Sequence, residues 1–225
     1  DVYMVQDYMA CATSAMREAR NGLDLVKKIR KTANIDLEIV AGQKEAHIIY
    51  SSHISEQLDI KKDYLYIDVG GGSTELSIFS EGQPEVSRSF DLGTIRILDN
   101  QDKDETWTEM KEWIKHNSKK YKNLTGIGTG GNINKIYKMA QEKEGLPLSL
   151  SKLKETYNFL NSHSLKVRIT VLGLNPDRAD VIIPACEIYL AVMKWADIKQ
   201  IYVPRVGMVD GIIQTLIEKN FANKI

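Results

Sequence analysis

The stretch Tyr64 to Phe79, YLYIDVGGGSTELSIF, restricts the fold more than any other part of the chain. Tyr64 to Ile67 is apolar and β-branched and feeds Asp68 and Val69, which reads as a strand. Gly70, Gly71 and Gly72 follow, and Ser73 and Thr74 lead into a second alternating run through Leu76, Ile78 and Phe79. Three glycines between two strands allow positive φ and bring bare backbone N–H groups close to a ligand. Asp68, at the end of the first strand, is an oxygen ligand suited to a hard cation. A plain tight hairpin would need only a two-residue turn, so a phosphate loop is the better reading. It is no P-loop, since no Gly-Lys-Ser/Thr follows. It is no dinucleotide fingerprint either, because its glycines open a strand rather than a helix.

At 225 residues the chain has length enough for two domains. Lys+Arg and Asp+Glu number 30 each, so no basic excess points to nucleic acid or an anionic membrane as the main partner. A polyanionic substrate would need a local basic channel instead. Cys11 and Cys186 lack metal-ligand spacing and sit in apolar surroundings, as buried reduced thiols of a cytoplasmic protein would. The longest apolar run, Val181 to Met193, is too short for a bilayer and contains Pro184 and Glu187. No signal peptide is visible. The chain opens on Asp1 and enters at once what reads as the middle of a domain, so a piece of a longer sequence is expected.

Short strands are expected at Tyr8 to Thr13, Leu37 to Ala41 and Gln200 to Val203, and a hairpin turn at Ser80 to Pro84. Helical spacing begins at Ala15, breaks at Asn21-Gly22, and returns after Gly42 and at Trp107, Met110 and Ile114. Thr125 to Gly131 (TGIGTGG) is a strand meeting a second glycine turn, followed by a helix through Ile133, Ile136 and Tyr137. A helix N-terminus of that kind favours an anion. Ser151 is expected to cap one helix and Asn175-Pro176-Asp177 to start a long, largely buried one. Gly207 to Lys219 is a last helix. Strands and helices alternate, so the class is α/β. His47, His53, His116 and His163 form no metal-binding pattern.

Taken in order, several segments resemble one family. These are Ala12 to Ala19 (ATSAMREA), Ala41 to Ala46 (AGQKEA), Asp68 to Glu75 (DVGGGSTE) and Ser89 to Arg96. Gly128 to Gly131 (GTGG), Arg178 to Asp180 (RAD) and Gly207 to Gly211 (GMVDG) complete the set. Together they resemble the exopolyphosphatase and guanosine pentaphosphate phosphohydrolase family of the actin, Hsp70 and sugar-kinase superfamily. Departures stand at Ala41 for Ser, Asn132 for Thr and Val209 for Arg. The family's opening strand and glycine-serine turn have no counterpart before Thr13.

The resemblance implies a ribonuclease-H-like, actin-like ATPase fold of two lobes. Residues 1–59 would be the C-terminal part of an incomplete first lobe and residues 60–225 the second. It implies hydrolysis of a terminal phosphate from inorganic polyphosphate or guanosine pentaphosphate, assisted by Mg²⁺. Glu45 would position and deprotonate the attacking water. Arg17 would grip phosphate together with Gly70, Gly71, Gly72, Ser73, Thr74, Gly128, Thr129, Gly130 and Gly131. Asp68 and Glu75 would hold the ion, directly or through water. Nucleic acid and membrane are not expected as partners, and a homodimer is entertained. Two other classes share these features: an ATP-dependent kinase or actin-like ATPase, and a non-catalytic module that binds polyphosphate or nucleotide.

Overall fold

The computed structural model describes residues 4–40, 48, 59, 61–143, 145–204 and 208–221. The chain divides into two compact units, Asp1–Leu58 with Val206–Ile225, and Asp59–Arg205.

In the first unit, strand β1 (Ala10–Ala12) pairs in parallel with β2 (Leu37–Ile39). Helices α1 (Ser14–Glu18) and α2 (Gly22–Ala33) form the crossover, meeting at the Asn21-Gly22 break. The junction demands glycine: a Cβ on Gly22 would lie 2.2 Å from the Met16 carbonyl oxygen. Helix α2 ends on Asn34 at φ 54°, a left-handed cap whose N–H returns to the Arg30 carbonyl. The C-terminal helix α10 (Met208–Phe221) belongs to this unit, whereas the sequence assigned everything after residue 59 to the second. The reason is packing that hydropathy does not reveal. Lys219 and Asn220 both donate to the Asp7 carboxylate, at 3.0 and 2.9 Å. These bonds, with that from the Tyr8 amide, hold the Asp7 carboxyl down at about 2.

The second unit is built on a mixed six-stranded sheet of order β5-β4-β3-β6-β8-β7. Strands β3 (Tyr64–Val69), β4 (Thr74–Ser80) and β5 (Gln83–Phe90) form an antiparallel meander. Strands β6 (Thr125–Thr129) and β8 (Gln200–Tyr202) extend it in parallel, and β7 (Leu148–Ser149) closes the far edge antiparallel. Glu81 (φ 50°) and Gly82 (φ 74°) make the two-residue β4–β5 turn. Pro84 is in β5 rather than in the turn, opposite Phe79, where the register shifts. An edge strand with a bulge tolerates its missing N–H.

Among the described residues, the helices of this unit are α3 (Thr94–Leu98), α4 (Asp104–Ser118), α5 (Gly131–Met139), α6 (Leu150–Asn161), α7 (Leu165–Thr170), α8 (Pro176–Ala179) and α9 (Ile182–Trp195). Leu65, Ile67, Val69, Leu76 and Ile78 of the sheet form one core with Met110, Ile114, Ile133, Ile136, Ile182, Ile188 and Met193. Helix α9 is the central buried helix that its two apolar stripes require. The helix expected to run on from Asn175 breaks instead: α8 stops at Ala179, and α9 begins at Ile182 after a turn in which Asp180 Oδ1 accepts the Val181 amide at 2.7 Å. Ser149, not Ser151, caps α6, accepting the Lys152 amide. Strand β7 and helix α7 are elements the sequence did not announce. Cys186 is buried as expected, with its thiol pushed up to about 12 by burial, whereas Cys11 is only half-buried. No helix among the described residues is long and apolar enough to cross a membrane.

Candidate active site at two glycine turns

Burial of the β3–β4 core brings the first glycine turn to one end of the sheet, and the start of α3 then shapes it. Gly70 N–H closes on the Ser73 carbonyl at 2.9 Å. The Gly70 carbonyl accepts from the Thr94 amide (3.0 Å) and the Gly71 carbonyl from the Ile95 amide (2.9 Å). The Gly72 carbonyl accepts from Arg96 Nε at 2.6 Å. Three successive carbonyls are thus turned toward α3. In a trans peptide the N–H points opposite to its carbonyl, so the amides of Gly71, Gly72 and Ser73 point the other way. Those of Gly71 and Gly72 take no partner among the described residues. Successive free amides of this kind form a concavity that suits an anion.

The glycines serve close approach rather than unusual dihedrals: none of Gly70, Gly71 and Gly72 has positive φ. A Cβ on Gly71 would press on Ile95 Cγ1 at 3.1 Å, and one on Gly93 would lie 2.3 Å from the Gly71 carbonyl oxygen. Gly93 and Arg96 are therefore part of the loop's framework, although they lie more than twenty residues away. No local pattern could have shown this.

The second turn stands beside the first because β6 pairs with β3, setting Thr129 next to Asp68. Gly130 has φ 99°, and a Cβ there would lie 3.0 Å from Asp68 Oδ1. The half-buried Asp68 carboxylate thus sits between the two turns. Gly128 has a packing role: a Cβ on it would meet Ile201, Ile133 and Tyr189 at 2.8, 3.1 and 3.2 Å. Thr129 is buried, its hydroxyl bonded to Tyr66 Oη and its carbonyl to Tyr189 Oη (2.9 Å). Burial and the Asp68 charge push the Tyr189 phenol well above its ordinary range, so it is a fixed donor.

Gly131 opens α5, and a Cβ on it would lie 2.5 Å from Arg178 Nη2. The guanidinium also donates to Asn132 Oδ1 at 3.2 Å. A cation resting on the positive end of a helix is electrostatically unfavourable unless an anion joins them. Arg178 belongs to the RAD segment noted in the sequence, yet its place at this turn was not foreseen.

Thr74 is buried and donates to the Leu92 carbonyl at 2.6 Å, so its hydroxyl ties the loop to the chain before α3. Glu75 is buried and accepts from Ser73 Oγ (2.6 Å) and Ser89 Oγ (3.0 Å). Arg17, in the first unit, donates from Nη1 to the Val40 carbonyl at 3.0 Å, just past β2. Glu45 lies outside the described residues. Among the described residues no group of three or more His, Cys, Asp or Glu could hold a metal ion. The one or two carboxylates expected for Mg²⁺ with a phosphate ligand do not require such a group.

The second unit sets a carboxylate between two glycine turns at one end of a mixed sheet, and the chain shares its fold with solved proteins of the actin-like ATPase fold. An exopolyphosphatase from Cytophaga hutchinsonii superposes with a TM-score of 0.79 at 22% identity, over 97% of this chain and 77% of that one. The family model of the Ppx/GppA phosphatase family matches residues 1–220, and the chain belongs to that family. Among curated relatives, a bifunctional 3-dehydroquinate synthase/phosphatase of Fusobacterium nucleatum is 29% identical, over 81% of this chain and 31% of that protein. A putative exopolyphosphatase of Haemophilus influenzae is 25% identical, over 97% of this chain and 72% of that protein. A guanosine-5'-triphosphate,3'-diphosphate pyrophosphatase of Aeromonas hydrophila is 23% identical, over 92% of this chain and 44% of that protein. The chain therefore spans less than half the length of two of these three relatives.

Proposed function

We propose that this chain serves hydrolysis of the terminal phosphoanhydride of inorganic polyphosphate or guanosine pentaphosphate. The observation that carries the reading is the outward run of amides at Gly71, Gly72 and Ser73, facing away from three anchored carbonyls. Such donors are already oriented when charge develops on the transferred phosphoryl group, so they stabilise it without reorganising. The second turn, with Arg178 and the N-terminus of α5, adds a cationic wall. Arg17 and the turn at Gly128 to Gly131 complete the phosphate contacts in this reading. Glu45 orients the attacking water and takes its proton.

Asp68 fits a bound Mg²⁺, being a half-buried carboxylate at the mouth between the turns. Glu75, with two hydroxyls on one oxygen, acts behind it. When bound, the ion would neutralise charge on the phosphate oxygens. The protein is proposed as a cytoplasmic one working on a soluble polyanion, and a homodimer is carried with that reading.

The test is release of inorganic phosphate from polyphosphate and from guanosine pentaphosphate with Mg²⁺, paired with calorimetric binding of both. Glu45→Gln is expected to lower kcat by about 100-fold or more, the usual scale for losing a general base, while leaving binding in place. Full turnover by that variant removes Glu45 from the role. Binding without any release by the unaltered chain would move the assignment to a binding module.

A further inference from the structure

The structure assigns a positioning role to Ser89, a residue on the far strand of the meander whose hydroxyl reaches Glu75. The inference rests on the phosphate reading above. Thr129, Asp68, Glu75 and Ser89 are directly opposed across β6, β3, β4 and β5, so their side chains share one face of the sheet. Glu75 Oε1 accepts from Ser89 Oγ at 3.0 Å and from Ser73 Oγ at 2.6 Å, and Ser73 and Glu75 are almost wholly buried. A carboxylate has no hydrogen to give, so both hydroxyls donate to it.

Two consequences follow for Ser73. Its single proton is turned toward Glu75, so the hydroxyl does not donate to phosphate. The phosphate is received instead by the backbone amides of Gly71, Gly72 and Ser73. The second hydroxyl on the same oxygen, that of Ser89, helps to fix the angle at which Glu75 holds Ser73. Partners of this kind behind a ligand group typically alter ion affinity or activity 10–100-fold when removed, about the range expected here.

The experiment compares the unaltered chain with Ser89→Ala and Ser89→Thr. Amide hydrogen exchange is read at Gly70, Thr94 and Ile95, whose bonds close on the loop. Ser89→Ala is expected to speed exchange at these three about tenfold, the worth of one hydrogen bond, and to leave Leu65, Ile67 and Leu76 unchanged. Ser89→Thr, which keeps the hydroxyl, is expected to restore the slow rates. In phosphate release, Ser89→Ala is expected to raise the Mg²⁺ concentration for half-activation about tenfold, with KM for polyphosphate within about twofold. Unchanged exchange at the three amides, acceleration spread evenly through the sheet, or failure of Ser89→Thr to rescue would overturn the assignment. If the unaltered chain releases no phosphate, the proposed activity fails by itself, and the exchange measurement still decides the role of Ser89.

Discussion

Gly130 carries two constraints at once: a φ of 99° with ψ 165°, and the approach of Asp68 Oδ1 to where a side chain would begin. That dihedral region is open essentially to glycine alone, at a cost of about 1–3 kcal/mol for any other residue. Gly130→Ala is therefore expected to lower the free energy of unfolding by about that amount in urea titration. It should also reduce phosphate release more strongly than polyphosphate binding, because the displaced group is Asp68 rather than the amides of the first turn. Cys186 offers a simpler check. Burial raises its thiol to about 12. At pH 8 only about one part in ten thousand would be thiolate, the form that reacts. A thiol reagent is expected to leave Cys186 unlabelled in the folded chain from pH 7 to 9 and to label it at once in denaturant. Fast labelling of folded Cys186 would mean that α9 opens readily.

At the scale of elements, the site depends on α9. Its Tyr189 bridges the carbonyls of Ile67 and Thr129 at the ends of β3 and β6, at 3.3 and 2.9 Å, the two strands that deliver Asp68 and the second turn. Ile182, Ile188 and Met193 of the same helix have no exposed surface. Met193→Ala is expected to cost about 2–5 kcal/mol, from lost burial and a cavity that the surrounding helices cannot fill. Chemical denaturation would measure it. A cost under about 1 kcal/mol would show that the helix can settle into the gap. Much of the element pattern could be read from the chain in advance: the β3–β4 pair, the strand Thr125–Thr129 and the helix behind it follow from alternation and spacing. The break between α8 and α9 could not. Asn175-Pro176-Asp177 is a strong start signal, but it does not tell where that turn stops: α8 ends at Ala179 and α9 begins afresh at Ile182, with Val181 at its N-cap.

For the whole molecule, the second unit holds a continuous core of its own, made by the six-stranded sheet and its helices. Residues 59–205 produced alone are expected to unfold cooperatively in calorimetry. At roughly 0.7 kcal/mol per residue near 60 °C, the enthalpy should be on the order of 100 kcal/mol. A broad transition without a heat peak would show that this unit needs the other to fold. Overall charge is balanced, at 30 acidic and 30 basic residues. In the proposed reading, attraction for a polyanion comes from local features such as the outward amides and Arg178, and not from a long-range field.

What the sequence determined by itself is the α/β class, the family, and the two glycine turns with Asp68 at the mouth of the first. Strand alternation, glycine clustering and motif order are local properties that survive without knowledge of neighbours. Tertiary structure alone decided how these pieces act on one another. Pairing of β3 with β6 set Asp68 beside Gly130, and the α3 N-terminus turned the loop's carbonyls inward and its amides outward. The registers of β4 and β5 placed Ser89 on Glu75, and the packing of the unit brought Arg178 over Gly131. Each of these is a contact between residues far apart in the chain. Such contacts are fixed by the shared core and by hydrogen-bond register, and no local spacing encodes them.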